Sequence, residues 1–246
     1  MANWLSAKVT RVKWWNDKLF SLAVHADIAP FTAGQYTKLA LEVDGERVAR
    51  AYSFVNPPSS DDLEFYLIKV DDGALSEALA NLQPGDEVRI AEQSTGFFTL
   101  DEVPSSEQVY MLSTGTAIGP FLSILQQPHV WQKFTHVVLV HCVREQQDLS
   151  YQALVKQLQQ QYPQLHYVPV VTRENVDGML SERIPGLIKS GKLFDHVQLS
   201  ASPDVAQFMI CGNPEMVKDT SACLQELGYK RNRRRTPGQI TVEQYW

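Results

Sequence analysis

Apolar and polar positions alternate along the first hundred residues, and after that they do not. Alternation over 8–12, an extended run over 19–24 (LFSLAV), runs over 36–43 and 47–55, alternation over 63–70 (LEFYLIKV) and a short run over 87–91 predict six strands. Asp44-Gly45 between the third and fourth runs is a two-residue hairpin signal, and Gln83-Pro84-Gly85-Asp86 is a turn. One helix interrupts, over 73–82, where Leu75, Leu79 and Leu82 share a face. Six short strands parted by turns predict an antiparallel barrel or sandwich.

The stretch 101–108 (DEVPSSEQ) is polar, contains Pro104 and reads as a linker. Beyond it, strand patterns over 109–113, 137–142, 166–171 and 207–211 alternate with helical patterns over 120–126, 149–161, 184–188 and 214–227. In the last helix Val217, Thr220, Leu224 and Leu227 line one side. Strands alternating with helices predict a parallel sheet with right-handed crossovers. The fold class is therefore β followed by α/β, with domains set at 1–100 and 101–246.

Composition narrows the function. Hydrophobic residues are 44% and charged residues 20% of 246, an ordinary globular balance. The formal charge is −6, and an acidic chain repels phosphate backbones, so a general nucleic-acid binder is not expected. The start carries no basic n-region before an apolar core, and no apolar run approaches membrane length, so neither a secretory signal nor a membrane span is expected and a cytoplasmic location is. Three widely spaced cysteines, Cys142, Cys211 and Cys223, form no CxxC, and the six histidines show no HExxH spacing, so no metal is expected. Neither GxSxG nor a pair of carboxylates stands out, so hydrolase chemistry has no support.

A parallel sheet binds ligands at the carboxyl ends of its strands. Here those ends read Ser113-Thr114-Gly115, Cys142-Val143-Arg144, Val171-Thr172-Arg173 and Cys211-Gly212-Asn213-Pro214. Small residues over 114–120 (TGTAIGP) let a backbone approach a pyrophosphate, although a tight turn that needs glycine explains the segment as well. Arg144, Arg173 and Arg183 near successive strand ends could clamp a phosphate, or be solvated surface arginines. Arg50-Ala51-Tyr52-Ser53 offers a cation, a stacking ring and a hydroxyl on one strand, or simply one aromatic packed in a core. Cys211 alone reads as a small buried hydrophobe. Near the end, Lys230, Arg231, Arg233, Arg234 and Arg235 form a basic run, and the chain closes Gln244-Tyr245-Trp246, two aromatics more easily explained if they cover something flat.

Taken in order and spacing, Arg50-Ala51-Tyr52-Ser53, 115–120 (GTAIGP), Cys211-Gly212-Asn213-Pro214 and the terminal Tyr245-Trp246 resemble the bacterial-type ferredoxin (flavodoxin)–NADP reductases over essentially the whole chain. The resemblance implies a six-stranded antiparallel FAD-binding barrel, then a parallel-sheet NADP-binding α/β domain with a C-terminal flavin-covering tail. It implies that Arg50 contacts the FAD pyrophosphate, that Tyr52 stacks on the isoalloxazine and that Ser53 lies near its N5. Ala51, then Tyr66, Leu67, Ile68 and Lys69, then Ala74, Leu75 and Ser76 would add FAD contacts, many through backbone, with the start of the 73–82 helix as the phosphate's anion site. Thr116 would touch the flavin. Val143, Arg144, Thr172, Arg173, Arg183, Gly212, Asn213, Pro214 and Asp219 would hold NADP(H), and Tyr245 and Trp246 would cover the FAD. Plant-type members end in a tyrosine over the flavin, whereas this chain adds Trp246.

The implied reaction moves electrons between NADPH, as hydride, and a one-electron carrier, ferredoxin or flavodoxin, docking near residues 230–235. Ser53, Cys211 and Tyr52 would position the reacting rings. A flavin reductase or diaphorase without a protein partner, and a nucleotide-binding module without redox activity, are the other readings.

Overall fold

In the computed structural model, residues 3–245 are described. The chain divides into two compact units. The first runs to Thr99 and takes in Gly119–Gln126; the second comprises Leu100–Ile118 and resumes at Gln127.

The first unit holds β1 (Trp4–Trp14), β2 (Leu19–His25), β3 (Tyr36–Val43), β4 (Glu46–Ser53), β5 (Leu63–Ile68), α1 (Ala74–Ala80) and β6 (Glu87–Ala91). The six strands form one antiparallel sheet in the order β4-β3-β6-β1-β2-β5. The sheet curls until its two edge strands meet at a bridge between Phe54 and Phe65, where the Val55 N–H donates to the Glu64 carbonyl at 2.8 Å. Inside lie Phe20, Leu22, Leu39, Phe54, Phe65, Leu67 and Ile90, with Leu75 and Leu79 of α1 plugging the core. The alternation seen in the sequence is this inside–outside alternation of a closed sheet.

A short buried helix, α2 (Gly119–Leu125), belongs to this unit by its bonds, although it follows a strand of the other. Ser123 Oγ donates to the Asn56 carbonyl at 2.7 Å and Gln126 Nε2 to the Val55 carbonyl at 2.9 Å. Phe121 packs edge-on against Phe98. The sequence boundary at 100/101 carries no sign of this exchange, because pattern shows what is buried but not against what.

The second unit holds β7 (Gln108–Thr114), α3 (Pro128–Lys133), β8 (His136–Val143), α4 (Gln152–Gln161), β9 (Leu165–Val171), α5 (Ile184–Lys189), α6 (Lys192–Val197), β10 (Ala206–Gly212), α7 (Pro214–Glu226) and β11 (Ile240–Gln244). Its five strands are parallel in the order β11-β10-β7-β8-β9. Strand order thus reverses between β7 and β10, and the crevice beyond a reversal point is where doubly wound sheets take ligands. On one face Leu112, Val138, Val140, Val168, Phe208 and Ile210 pack against Ile184 and Leu187 of α5 and Val217 and Leu224 of α7.

The helix expected over 149–161 begins only at Gln152, after a 3-10 turn at Gln146–Asp148 and a left-handed Tyr151 (φ 60°). The six-residue helices α3 and α6 were not anticipated, being too short to show a period. Nor was β11, which makes the end of the chain a sheet strand through Gln244 instead of a loose tail. No helix among the described residues is long and apolar enough to cross a membrane.

Candidate functional site

In the first unit the candidate residues lie on the two strands that meet at the Phe54–Phe65 bridge. Antiparallel ladders use alternate residues toward each neighbour. The Phe54 N–H goes to Gln35 and the Lys69 N–H to Lys18, so the peptide groups of Ala51 and Ser53 turn toward the outer edge of β4, and those of Tyr66 and Ile68 toward the outer edge of β5. Arg50 is exposed, Tyr52 is half-buried against the barrel core and Ser53 is buried. Burial pushes the Tyr52 phenol up to about 12, against the pull of the Arg50 guanidinium, so it stays protonated. Tyr66 is buried and meets Trp15 edge-on at 6.5 Å. The side chains of Leu67 and Leu75 are in the core, which leaves only their backbone for a ligand. Lys69 pairs with Glu77 at 3.9 Å. At the start of α1, Ala74 is exposed and no side chain caps the helix; Ser76 Oγ instead donates to the Gly73 carbonyl at 3.0 Å. Peptide donors and acceptors, a phenol ring and a guanidinium along one edge are the donor set for a flat heterocycle with a phosphate tail. FAD fits it.

In the second unit the candidates crown the carboxyl ends of the strands. The ends of β8 and β9 continue side by side: Thr172 N–H and Oγ1 both reach the Val143 carbonyl, at 3.0 and 3.1 Å, and the Arg173 N–H donates to the Arg144 carbonyl at 2.9 Å. Two exposed arginines are thereby set on neighbouring strand ends. Arg183, exposed just before α5, is close enough to Cys142 for its charge to oppose the burial that pushes that thiol up to about 11. Three cations around one corner of the sheet suit a phosphomonoester. At the reversal point α7 starts at Pro214, with Asn213 as its cap accepting the Met216 N–H at 2.9 Å. Asp219 is exposed on the second turn of α7. A side chain at Gly212 would put its Cβ 2.3 Å from Thr114 Oγ1, so β10 and β7 approach as they do because that position is glycine.

Sheet register brings together a set of residues that spacing could not. Glu243, Cys211, Ser113 and His141 stand in one row across β11, β10, β7 and β8, beneath the crest. Cys211 is fully buried, its Sγ 3.9 Å from Glu243 Oε1. Burial first, and the Glu243 carboxylate second, hold the thiol well above its ordinary range, so Cys211 is a neutral donor and not a nucleophile. Ser113 and His141 are also fully buried. Of this row Cys211 was a candidate site residue and Ser113 was noted only as part of a strand end; Glu243 and His141 sit in unremarkable strings, and parallel pairing alone aligns the four.

Residues 230–239 form an ordered tongue before β11. Asn232, in the middle of the basic run, is buried; its Nδ2 donates to the Glu102 carbonyl at 2.6 Å and to Thr241 Oγ1 at 3.0 Å, and its Oδ1 accepts the Gly238 N–H at 3.2 Å. Lys230, Arg231, Arg233, Arg234 and Arg235 are exposed around it. The tongue lies at the amino end of β11, while Tyr245 follows the carboxyl end, with its N–H on the Gly212 carbonyl at 2.9 Å. At ~3.3 Å per residue a five-residue strand keeps the two about 16 Å apart. Trp246 lies outside the described residues.

Two family models match. Residues 8–100 match the oxidoreductase FAD-binding domain and residues 111–222 the oxidoreductase NAD-binding domain. The chain is 52% identical over 248 aligned positions to the flavodoxin/ferredoxin–NADP reductase of Escherichia coli (strain K12), covering all of both chains. It is 36% identical to the ferredoxin–NADP reductase of Pseudomonas aeruginosa, over 99% of this chain and 98% of that one. Among solved structures, a ferredoxin NADP+ reductase from Neisseria gonorrhoeae with bound FAD and NADP superimposes with a TM-score of 0.94 at 36% identity, over 99% of each chain. Identity at this level along the entire length, with the barrel edge and the sheet crest both present, makes the chain a member of the flavodoxin/ferredoxin–NADP reductase family.

Proposed function

We propose that this protein is an FAD-dependent reductase that moves electrons between NADPH and a one-electron protein carrier, flavodoxin or ferredoxin. The observation that carries the reading is the full-length relationship, together with a first unit that fits FAD and a second whose crest fits a phosphorylated dinucleotide. FAD, when bound, supplies the redox chemistry, taking electrons from NADPH in a pair and giving them up singly.

The residues bind and orient. Arg50 meets the pyrophosphate, the Tyr52 ring stacks on the flavin, and Ser53 with the backbone of Ala51, Tyr66, Leu67, Ile68 and Lys69 holds its edge. Ala74, Leu75 and Ser76 offer backbone N–H groups to the phosphates. Thr116 touches the cofactor. Arg144, Thr172, Arg173 and Arg183 take the 2′-phosphate of NADP, with Val143 beside them. Gly212, Asn213, Pro214 and Asp219 line the nicotinamide end. Cys211 and Ser53 position the nicotinamide and the flavin N5 as neutral donors, and Tyr245 and Trp246 cover the flavin. The acidic carrier is steered by the exposed cations at 230–235. Their placement at the amino end of β11 favours attraction through solvent, over a range of about one Debye length, ~8–10 Å. The protein works in the cytoplasm.

Anaerobic titration tests the reading. The purified protein is yellow, NADPH bleaches it, and added flavodoxin or ferredoxin is reduced in turn. A colourless protein that binds no FAD refutes the assignment. Bleaching without electron transfer to either carrier leaves only a diaphorase.

A further inference from the structure

Buried polar atoms nearly always find a hydrogen-bond partner, so one without a partner needs a reason. His141 is fully buried near the carboxyl end of β8. Its Nε2 lies 3.2 Å from the Gly115 carbonyl oxygen. That oxygen can only accept, so Nε2 carries the hydrogen. Burial brings the imidazole down to about 4, with the Gly115 carbonyl pulling the other way, and the ring is neutral near pH 7. A neutral ring has one N–H, so Nδ1 is a bare acceptor, and it is buried with no hydrogen-bond partner. Along the same face of β8 stand Val137 and Leu139. A leucine at 141 would continue that face and orphan no atom. What histidine adds is one N–H aimed at one carbonyl.

That carbonyl belongs to the peptide joining Gly115 to Thr116. The described chain has no cis peptide bond, and in a planar trans peptide the C=O and N–H point in opposite directions. Holding the Gly115 oxygen toward β8 therefore aims the Thr116 N–H away from it. Gly115 needs holding: its φ is +54°, and nothing lies within 4 Å of where a Cβ would stand. The peptide opens the 3-10 turn Gly115–Ile118, whose first N–H groups have no acceptor inside the turn. A hydrogen bond to the carbonyl also polarises the peptide and makes its N–H a stronger donor. Ser113, the neighbour of His141 on β7, does not share this task, because its Oγ donates to the Val140 carbonyl at 2.7 Å.

We infer that His141 is a positioning residue which, through the Gly115 carbonyl, sets the direction and strength of the Thr116 N–H as a donor to the bound cofactor. The inference rests on the reading of Thr116 as part of the cofactor site.

The test uses the FAD-loaded enzyme, its His141→Gln variant, which keeps an N–H donor, and His141→Leu, which has none. Two signals are read: the rate of flavin reduction at saturating NADPH, and the amide resonance of Thr116 in labelled protein. In the parent, the Thr116 amide shifts when NADP+ is added or the flavin is reduced. His141→Leu slows flavin reduction about tenfold, leaves the KM for NADPH within about twofold, and displaces the Thr116 amide; His141→Gln recovers to within about threefold of the parent. A parent amide that answers to neither NADP+ nor reduction sinks the reading of Thr116, whatever the variants do. An amide that answers in the parent, joined to a parent-like rate in His141→Leu or an equal loss in both variants, overturns the role of His141. If His141→Leu does not fold, His141→Asn, whose shorter amide falls short of Gly115, takes its place under the same two outcomes.

Discussion

Gly212→Ala is the most direct probe of the crevice between β7 and β10. The added Cβ would stand 2.3 Å from Thr114 Oγ1 and 2.4 Å from Met216 Cε, distances no real Cβ tolerates. Met216 Cε is the far end of a flexible chain and can swing aside. Thr114 is β-branched and sits at the last position of β7, so its oxygen moves only by changing rotamer or by prying the strands apart. Forcing a methyl group into a packed site of this kind costs about 1–3 kcal/mol. For a chain of this size that lowers Tm by roughly 2–12 °C, taking about 2–4 °C per kcal/mol. Thermal unfolding of the FAD-loaded protein, followed by circular dichroism, reads the shift, and a titration with NADP+ reads the crevice itself, where affinity falls in parallel. The double variant with Thr114→Ala removes the obstructing oxygen and recovers at least half of the lost Tm, because residues in contact couple. A Tm within about 1 °C of the parent, or a Thr114→Ala that gives nothing back, would mean that β10 and β7 are not spaced as described.

Four further outcomes follow from the same geometry. Arg173→Ala or Arg183→Ala lowers kcat/KM for NADPH about ten- to hundredfold, a charge-assisted bond being worth ~1.5–3 kcal/mol, and leaves NADH nearly untouched; equal use of both cofactors by the parent defeats the assignment. Asn232→Ala releases three hydrogen bonds at the base of the tongue and costs roughly 2–3 kcal/mol, measured by denaturant unfolding. The folded pKa of His141, about 4, lies below its unfolded value, so as pH falls the unfolded chain takes up the proton first; stability is whole above about 6.5 and drains toward about 4 by up to roughly 3 kcal/mol, and His141→Gln flattens that part of the pH–stability curve. Neutralising Arg233, Arg234 and Arg235 slows carrier reduction mainly at low ionic strength and spares a small neutral acceptor; an unchanged salt dependence places docking elsewhere.

Where one face of an element is buried, its residues announced it. The closed sheet showed as alternation over the first hundred residues, and β8 and β10, buried on both faces, showed as mostly apolar runs over 137–142 and 207–211, interrupted only by His141 and opened by Gln207. Signals vanished where the determinant was a neighbour distant in sequence. β11 is five residues, ITVEQ, after a charged run; it is a strand because Phe208 to Gly212 offer it a ladder. The basic run gave no sign of its fixed conformation, because Asn232, which ties it to the domain, is hidden between arginines, and its partner Glu102 lies 130 positions away.

The same limit applied to the candidate site. Backbone motifs with glycine or proline, at 114–120 and 211–214, were visible because special backbone geometry restricts residue type. The row Glu243, Cys211, Ser113 and His141 was not, since each member fits its strand and only register makes them neighbours. Two members of the row share a property with Tyr52 of the barrel: burial drives the Cys211 thiol and the Tyr52 phenol up and the His141 imidazole down, each toward its neutral form. An enzyme that moved protons with its own side chains would hold a pKa near the working pH. Here Cys211, Tyr52 and His141 are set far from it, which removes them as acids and bases but leaves their hydrogen-bond directions intact. Neutral donors of fixed direction are what a site requires when electrons and charge travel on bound cofactors and the protein has only to hold the reacting rings in place.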